Sequence, residues 1–154
     1  MRPLIVEAVS RSEEETVRFG ERLGAALRSR SVIGLTGPLG AGKTRLAQGI
    51  ARGAGYGGRV RSPSFALLHI YRGRLPLRHF DLYRLDSVDD GTAGEWEEAM
   101  EAEGISMIEW ADRVPGLLPD DAVWIDLSVT SEWHRTIRLR VDLPTSSIGD
   151  WIFR

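Results

Sequence analysis

Residues 31–51 read SVIGLT-GPLGAGKT-RLAQGIA, and these three pieces decide the fold. The first is a short apolar run, the pattern of a buried strand. The second, residues 37–44, fits G-x-x-x-x-G-K-[ST], the phosphate-binding loop. The third brings Leu46, Ile50, Ala47 and Ala51 to one side of a helix, which fades at Gly53–Gly58. The residue types have physical reasons. Glycines let the backbone curl until several N–H groups converge on one anion. The helix that follows adds its N-terminal dipole. Lys43 supplies a compact charge on a flexible stem for the outer phosphates, and Thr44 a hydroxyl for magnesium. Lys43 is also the single lysine among 20 basic residues; the other 19 are arginine. Where any cation suffices, this chain uses arginine. Inside a phosphate loop a planar guanidinium does not fit.

Working outward, Pro3–Val9 reads as a short strand. Ser12 and Glu15 form a capping box, and Phe19, Leu23, Ala26 and Leu27 then share one helix face. Val60–Phe65 is a loop, because Pro63 blocks a helix and pushes Ser62 extended. Ala66–Tyr71 and Leu75–Leu82 are strand-like on either side of Gly73. Residues 86–103 are acidic, with a helix expected from about Glu95. Ile105–Trp110 is another buried strand. Ala122–Val129 and Thr136–Val141 pair as a hairpin around Thr130–Arg135. Strands alternating with helices predict one α/β domain over residues 1–154. Its architecture is a three-layer sandwich like that of the P-loop nucleotide hydrolases, with a mainly parallel sheet and antiparallel edge strands.

Composition narrows the function. The chain has 154 residues, a net charge of -2 and no cysteine. Disulfides, thiolate zinc sites, iron–sulfur clusters and cysteine nucleophiles are excluded together. No apolar run approaches the ~18 residues of a membrane span. The N-terminus turns acidic after one short apolar run, unlike a signal peptide. A cytoplasmic protein without membrane contact is expected. The absence of asparagine rules out N-K-x-D, the guanine-reading motif, and no D-x-x-G is present, so adenine is the expected base.

A phosphate loop needs a carboxylate near its metal, commonly at the end of a neighbouring strand. Asp81 and Glu109 both stand where an apolar run turns polar, at the rim where ligands meet a parallel sheet. Glu109 is favoured for metal contact or water activation, because its run is the more apolar. Asp81 is the alternative, or else organises the loop. Ser62-Pro63-Ser64-Phe65 reads as a switch-like loop, with a plain Ser-Pro turn as the bland alternative. Glu95-Trp96 and Glu132-Trp133 follow no apolar strand and read as surface or packing residues. His69 and His79 read as packing or hydrogen-bonded residues and His134 as a hairpin residue, rather than a metal site.

Taken in order, GPLGAGKT, RSPSF, RHFDLYRL and MIEW resemble the bacterial TsaE (YjeE) family over roughly residues 5 to 140. The resemblance implies a P-loop ATPase accessory to threonylcarbamoyladenosine modification of tRNA. ATP would be held by Leu39, Gly40, Ala41, Gly42, Lys43, Thr44 and Arg45, with Ser64 and Trp110 alongside. Thr44 and Glu109 would hold magnesium, and Lys43, Glu109 and Asp81 would be the catalytic set. The implied partners are TsaD and TsaB, with tRNA reached through that complex. Ser64 stands where threonine is usual, and Ala111 where proline is common. Residues 91–104 fit the family poorly, and DWIFR at 150–154 has no counterpart.

The loop region carries no evident arginine finger. Slow turnover alone, raised by a partner, is therefore expected, with Arg84 as a candidate internal finger. Two rivals remain: a small-molecule kinase, whose lid would be the acidic 86–104 stretch, and a nucleotide-gated adaptor. Arg52, Arg59, Arg61, Arg72, Arg74 and Arg78 could form a tRNA-binding patch, or be ordinary solvated arginines.

Overall fold

The structure is a computed structural model and describes residues 3–63, 68–85 and 88–142. The strands are β1 (Leu4–Ser10), β2 (Val32–Thr36), β3 (Leu68–Arg72), β4 (Pro76–Asp81), β5 (Ile105–Glu109), β6 (Val123–Val129) and β7 (Arg135–Val141). The helices are α1 (Glu13–Ala26), α2 (Lys43–Gly53) and α3 (Asp90–Glu101), with 3-10 turns at Ala111–Arg113 and Pro115–Leu117. One seven-stranded sheet runs in the order β1-β7-β6-β2-β5-β4-β3. Its centre, β6-β2-β5-β4, is parallel. Antiparallel pairs finish it on both sides, β6 with β7 and β7 with β1 at one edge, β4 with β3 at the other.

Burial follows from this arrangement. Central strands are covered on both faces and read as continuous apolar runs. Every residue of β5 is buried, as is all of β2 except Thr36. The antiparallel flank alternates instead, with β7 burying Ile137, Leu139 and Val141 and exposing Arg138 and Arg140. Two separate cores result. One joins Leu23 of α1 and Leu46 and Ile50 of α2 to Ile33, Leu35, Met107 and Ile125. The other joins Met100 of α3 to Phe80, Ile108, Leu117 and Leu118, with Trp96 packed against it. Helices on both faces of one sheet make the expected three layers.

Helix starts follow local chemistry. Ser12 caps α1, its side chain accepting from the Glu15 N–H at 3.1 Å. Glu15 reaches back to the N–H of Arg11, one residue beyond the usual capping-box partner. The acidic helix begins at Asp90, earlier than the expected Glu95, and so takes in both Gly91 and Gly94. The reason is Asp89, whose carboxylate accepts from the Thr92 N–H at 2.8 Å and caps the helix. Trp96 then anchors α3 edge-on to Phe80, with ring centroids 5.6 Å apart. That stretch is therefore a layer of the sandwich rather than a lid. Among the described residues, no helix is long and apolar enough to cross a membrane.

Candidate functional site

The site lies where β2, β4 and β5 end. Register sets Asp81 of β4 beside Glu109 of β5, and Leu35 of β2 on the other side of Glu109. Two carboxylates thus meet the loop that leaves β2. In that loop Gly40 (φ 80°) and Gly42 (φ 105°) occupy left-handed backbone that a side chain would strain. Gly42 is also the N-cap of α2 and offers no capping side chain. The first N–H groups of α2 therefore remain open to an anion.

A cleft of about 440 Å³ opens here. It brings together Leu39, Gly40, Gly42, Lys43, Thr44, Arg45, Asp81, Glu109 and Trp110 from the sequence reading, with Ser62 of the switch-like loop and the candidate finger Arg84, and adds Glu13 and Tyr83. Ala41 belongs to the loop, but its methyl is fully buried in the core and its N–H is engaged by the Pro38 carbonyl at 3.1 Å. Leu39 is 76% exposed at the loop tip. Arg45 turns toward α1 and pairs with Glu13 at 3.5 Å. Ser64 and the C-terminal DWIFR lie outside the described residues.

Lys43 folds back on its own loop. Its Nζ donates to the carbonyls of Gly37 at 2.6 Å and Pro38 at 2.9 Å, and sits 4.0 Å from the centroid of the Trp110 ring. Burial pulls its pKa below the usual lysine value, partly opposed by the carboxylates of Glu109, Asp112, Asp81 and Asp126. Trp110 takes φ 59°, a strained value for an aromatic residue. Its ring stacks 4.9 Å from Tyr83, with the Arg113 guanidinium 5.7 Å from its centroid.

Both carboxylates are tightly held. Thr44 Oγ1 donates to Glu109 Oε1 at 3.2 Å, and Glu109 Oε2 lies 2.6 Å from His79 Nε2. Glu109 is 3% exposed and His79 fully buried. Asp81 accepts from the Ser62 hydroxyl through one oxygen, and from the Tyr83 N–H at 2.9 Å through the other. Among the described residues no three histidine or carboxylate side chains form a self-sufficient metal centre. A magnesium ion shared with phosphates needs only one or two protein ligands. The Thr44 hydroxyl beside the Glu109 carboxylate is such a hard-oxygen pair.

Sequence reasoning passed over two residues that matter here. His79 reads from sequence as a packing or hydrogen-bonded residue, and it is hydrogen-bonded, but its partner, Glu109, was not foreseen. The available signal was its place two residues before Asp81 on a strand, which puts both on one face. Arg135, at the start of β7, donates to the loop carbonyls of Ala41 at 3.1 Å and Gly40 at 3.3 Å. The same guanidinium also holds the hairpin carbonyls of Ser131, Glu132 and His134. Nothing local in the sequence marks that contact. In a trans peptide the C=O and the next N–H point opposite ways. Holding the Ala41 carbonyl outward therefore turns the Gly42 N–H the other way.

The strand–loop–helix with its two rim carboxylates is the arrangement that the resemblance implied. The chain matches the family model "Threonylcarbamoyl adenosine biosynthesis protein TsaE" over residues 10–137. It belongs to the TsaE family. A TsaE relative from Treponema pallidum is 41% identical over 132 residues, covering 86% of this chain and 98% of that protein. One from Bacillus subtilis is 33% identical over 125 residues, covering 80% of this chain and 78% of its own. Both are named tRNA threonylcarbamoyladenosine biosynthesis proteins. The crystal structure of Bacillus subtilis YdiB superposes with a TM-score of 0.85 at 24% identity, over 99% of this chain and 97% of that one. That likeness shows the α/β fold.

Proposed function

We propose that this TsaE-family chain is a magnesium-dependent ATPase of tRNA threonylcarbamoyladenosine biosynthesis. It acts on the TsaD–TsaB complex in the cytoplasm and reaches tRNA through that complex. The observation that carries the reading is the convergence, in one cleft, of the glycine-turned loop, Lys43, Thr44 and Glu109. The pathway comes from the relatives' names. The residues fit the ligands. Open N–H groups at the start of α2 suit a phosphate, and the hydrogen bonds of Lys43 among the described residues go to neutral carbonyls that an anion outcompetes. Magnesium, when bound, neutralises phosphate charge and polarises the terminal phosphoryl group.

The roles divide as follows. The loop amides and Lys43 bind the triphosphate, with Leu39, Arg45 and Trp110 around it. Thr44 and Glu109 supply the metal's oxygen ligands. Glu109 also orients the attacking water, and Asp81 holds the Ser62 loop and Tyr83 in position. Phosphoryl transfer asks mostly for such placement and for charge neutralisation.

The test is steady-state phosphate release from ATP with magnesium, with and without TsaD–TsaB and tRNA. Slow release alone and strong stimulation by the complex are expected. Transfer to an added acceptor instead of water would establish a kinase. Nucleotide binding with no release under any condition would establish an adaptor. Either result overturns the ATPase reading.

A further inference from the structure

His79 is the one fully buried histidine in the described core, and it sits against the carboxylate that the proposed chemistry uses. A carboxylate only accepts, so the 2.6 Å contact requires the proton on His79 Nε2. In a neutral ring, Nδ1 is then an acceptor that needs a donor. The Tyr71 hydroxyl lies 3.1 Å from Nδ1, and its single proton also has the Arg61 carbonyl within reach. Tyr71 is itself 7% exposed, on β3 beside β4. Its oxygen also lies 3.0 Å from the Arg61 carbonyl and 3.4 Å from the Arg61 N–H. Arg61 directly precedes Ser62, whose hydroxyl is bonded to Asp81. A continuous chain therefore runs from Glu109 through His79 and Tyr71 to the backbone of the Ser62 loop.

We propose that His79 is a positioning residue for Glu109. Its imidazole, with the Tyr71 hydroxyl against Nδ1, donates from Nε2 to Oε2 and leaves Oε1 turned to Thr44 and the phosphate loop. The proposal rests on the reading of Glu109 as metal ligand and water orienter. Its physical basis is the burial of the pair. A buried glutamate held at one oxygen only can rotate, and the second oxygen would lack a partner. Gripped by a ring that β4 locks in place, the carboxylate keeps one orientation through the reaction. Partners behind a functional group commonly matter by about 10–100-fold in this way.

Four measurements test it. His79→Phe is expected to lower kcat by about 10–100-fold, with KM for ATP within about threefold. His79→Gln, whose amide N–H can reach Oε2, is expected to regain most of the loss, while His79→Asn, which places its amide near Nδ1, is not. Adding His79→Phe to Glu109→Ala is expected to cost nothing further, because the group being positioned is gone. Nitrogen-15 spectra of the free protein's imidazoles at fixed pH are expected to show the Nε2–H tautomer at His79. Its ring proton signal should move in Glu109→Ala. Wild-type kcat in His79→Phe, equal losses on both backgrounds, or an Nδ1–H ring would overturn the proposal. If the wild type releases no phosphate at all, the ATPase reading fails by itself, and the spectra still decide whether the ring grips the carboxylate.

Discussion

Substituting Gly49 by alanine tests how the phosphate loop is held by the helix that follows it. Gly49 lies inside α2, where alanine is the better helix former by about 1 kcal/mol. Judged within its own helix, Gly49→Ala should stabilise. The packing says otherwise. A Cβ at Gly49 would lie 2.1 Å from the Val17 carbonyl oxygen of α1 and 3.0 Å from the Gly20 Cα. Ordinary contact begins near 3.4 Å, so the first overlap is about 1.3 Å, and both neighbours are backbone. No side chain can swing aside, so the helices must part. Overpacking costs about 1–3 kcal/mol, and the rigid partners place this case at the upper end. A gap of about an ångström also forfeits a quarter to a half of the attraction between the facing side chains. Leu23, Leu46 and Ile50, all fully buried, would lose contact. About 3 less about 1 leaves about 2 kcal/mol of destabilisation. For a chain of this length that is a fall in Tm of about 4–8 °C. Gly94 is the control. It is also helical, but nothing lies within 4 Å of its added Cβ, so Gly94→Ala should stabilise by about 0.5–1 kcal/mol. Urea unfolding of the two variants reads both signs. If Gly49→Ala is as stabilising as Gly94→Ala, the close helix contact is not as described. Because α2 begins at Lys43, Gly49→Ala should also weaken nucleotide binding, measured by calorimetry.

Four further outcomes are expected. Lys43→Ala should abolish tight ATP binding in calorimetry; retained affinity would remove Lys43 from the phosphate site. Glu109→Ala should cut phosphate release far more than ATP affinity, and wild-type turnover would show its assigned role to be wrong. Arg135→Met removes the donors that hold the Gly40 and Ala41 carbonyls. It should raise the ATP Kd about tenfold, since hydrogen bonds from a charged donor are worth about 1.5–3 kcal/mol; an unchanged Kd would show the loop holds its shape without them. Lys43 also sets a pH dependence. Its pKa is lowered in the folded protein, chiefly by burial, so on raising the pH the folded chain releases this proton before the unfolded chain does. Between the two pKa values the unfolded state binds more protons, and stability rises with pH. Wild type should therefore gain stability relative to Lys43→Met as the pH rises toward the ordinary lysine value of 10.5, and a flat or falling difference in urea unfolding would contradict that cause.

Much of this protein was legible in one dimension, because the relevant forces act locally. The apolar run of β2, the glycine-rich turn and the face of α2 announce a strand–loop–helix within 21 consecutive residues, 31–51. Asp81 and Glu109 were legible as rim carboxylates because each stands where an apolar run turns polar; that both are buried was not legible. The α3 boundary was misjudged by five residues because two glycines hid a start that the Asp89 cap determines.

What only the tertiary structure decided depends on contacts between distant segments. Gly49 in isolation reads as a weak spot in a helix; beside Val17 and Gly20 it is where α1 and α2 can approach closely. His79 in isolation reads as a polar residue in a strand; register with β5 gives it the Glu109 carboxylate. Arg135 is one arginine among many until the hairpin folds over the phosphate loop. Periodicity reports which face a side chain takes, since that is a property of its own backbone. It carries no information about which partner the sheet order brings to that face, and the contacts that hold Glu109 and the loop are made by such partners.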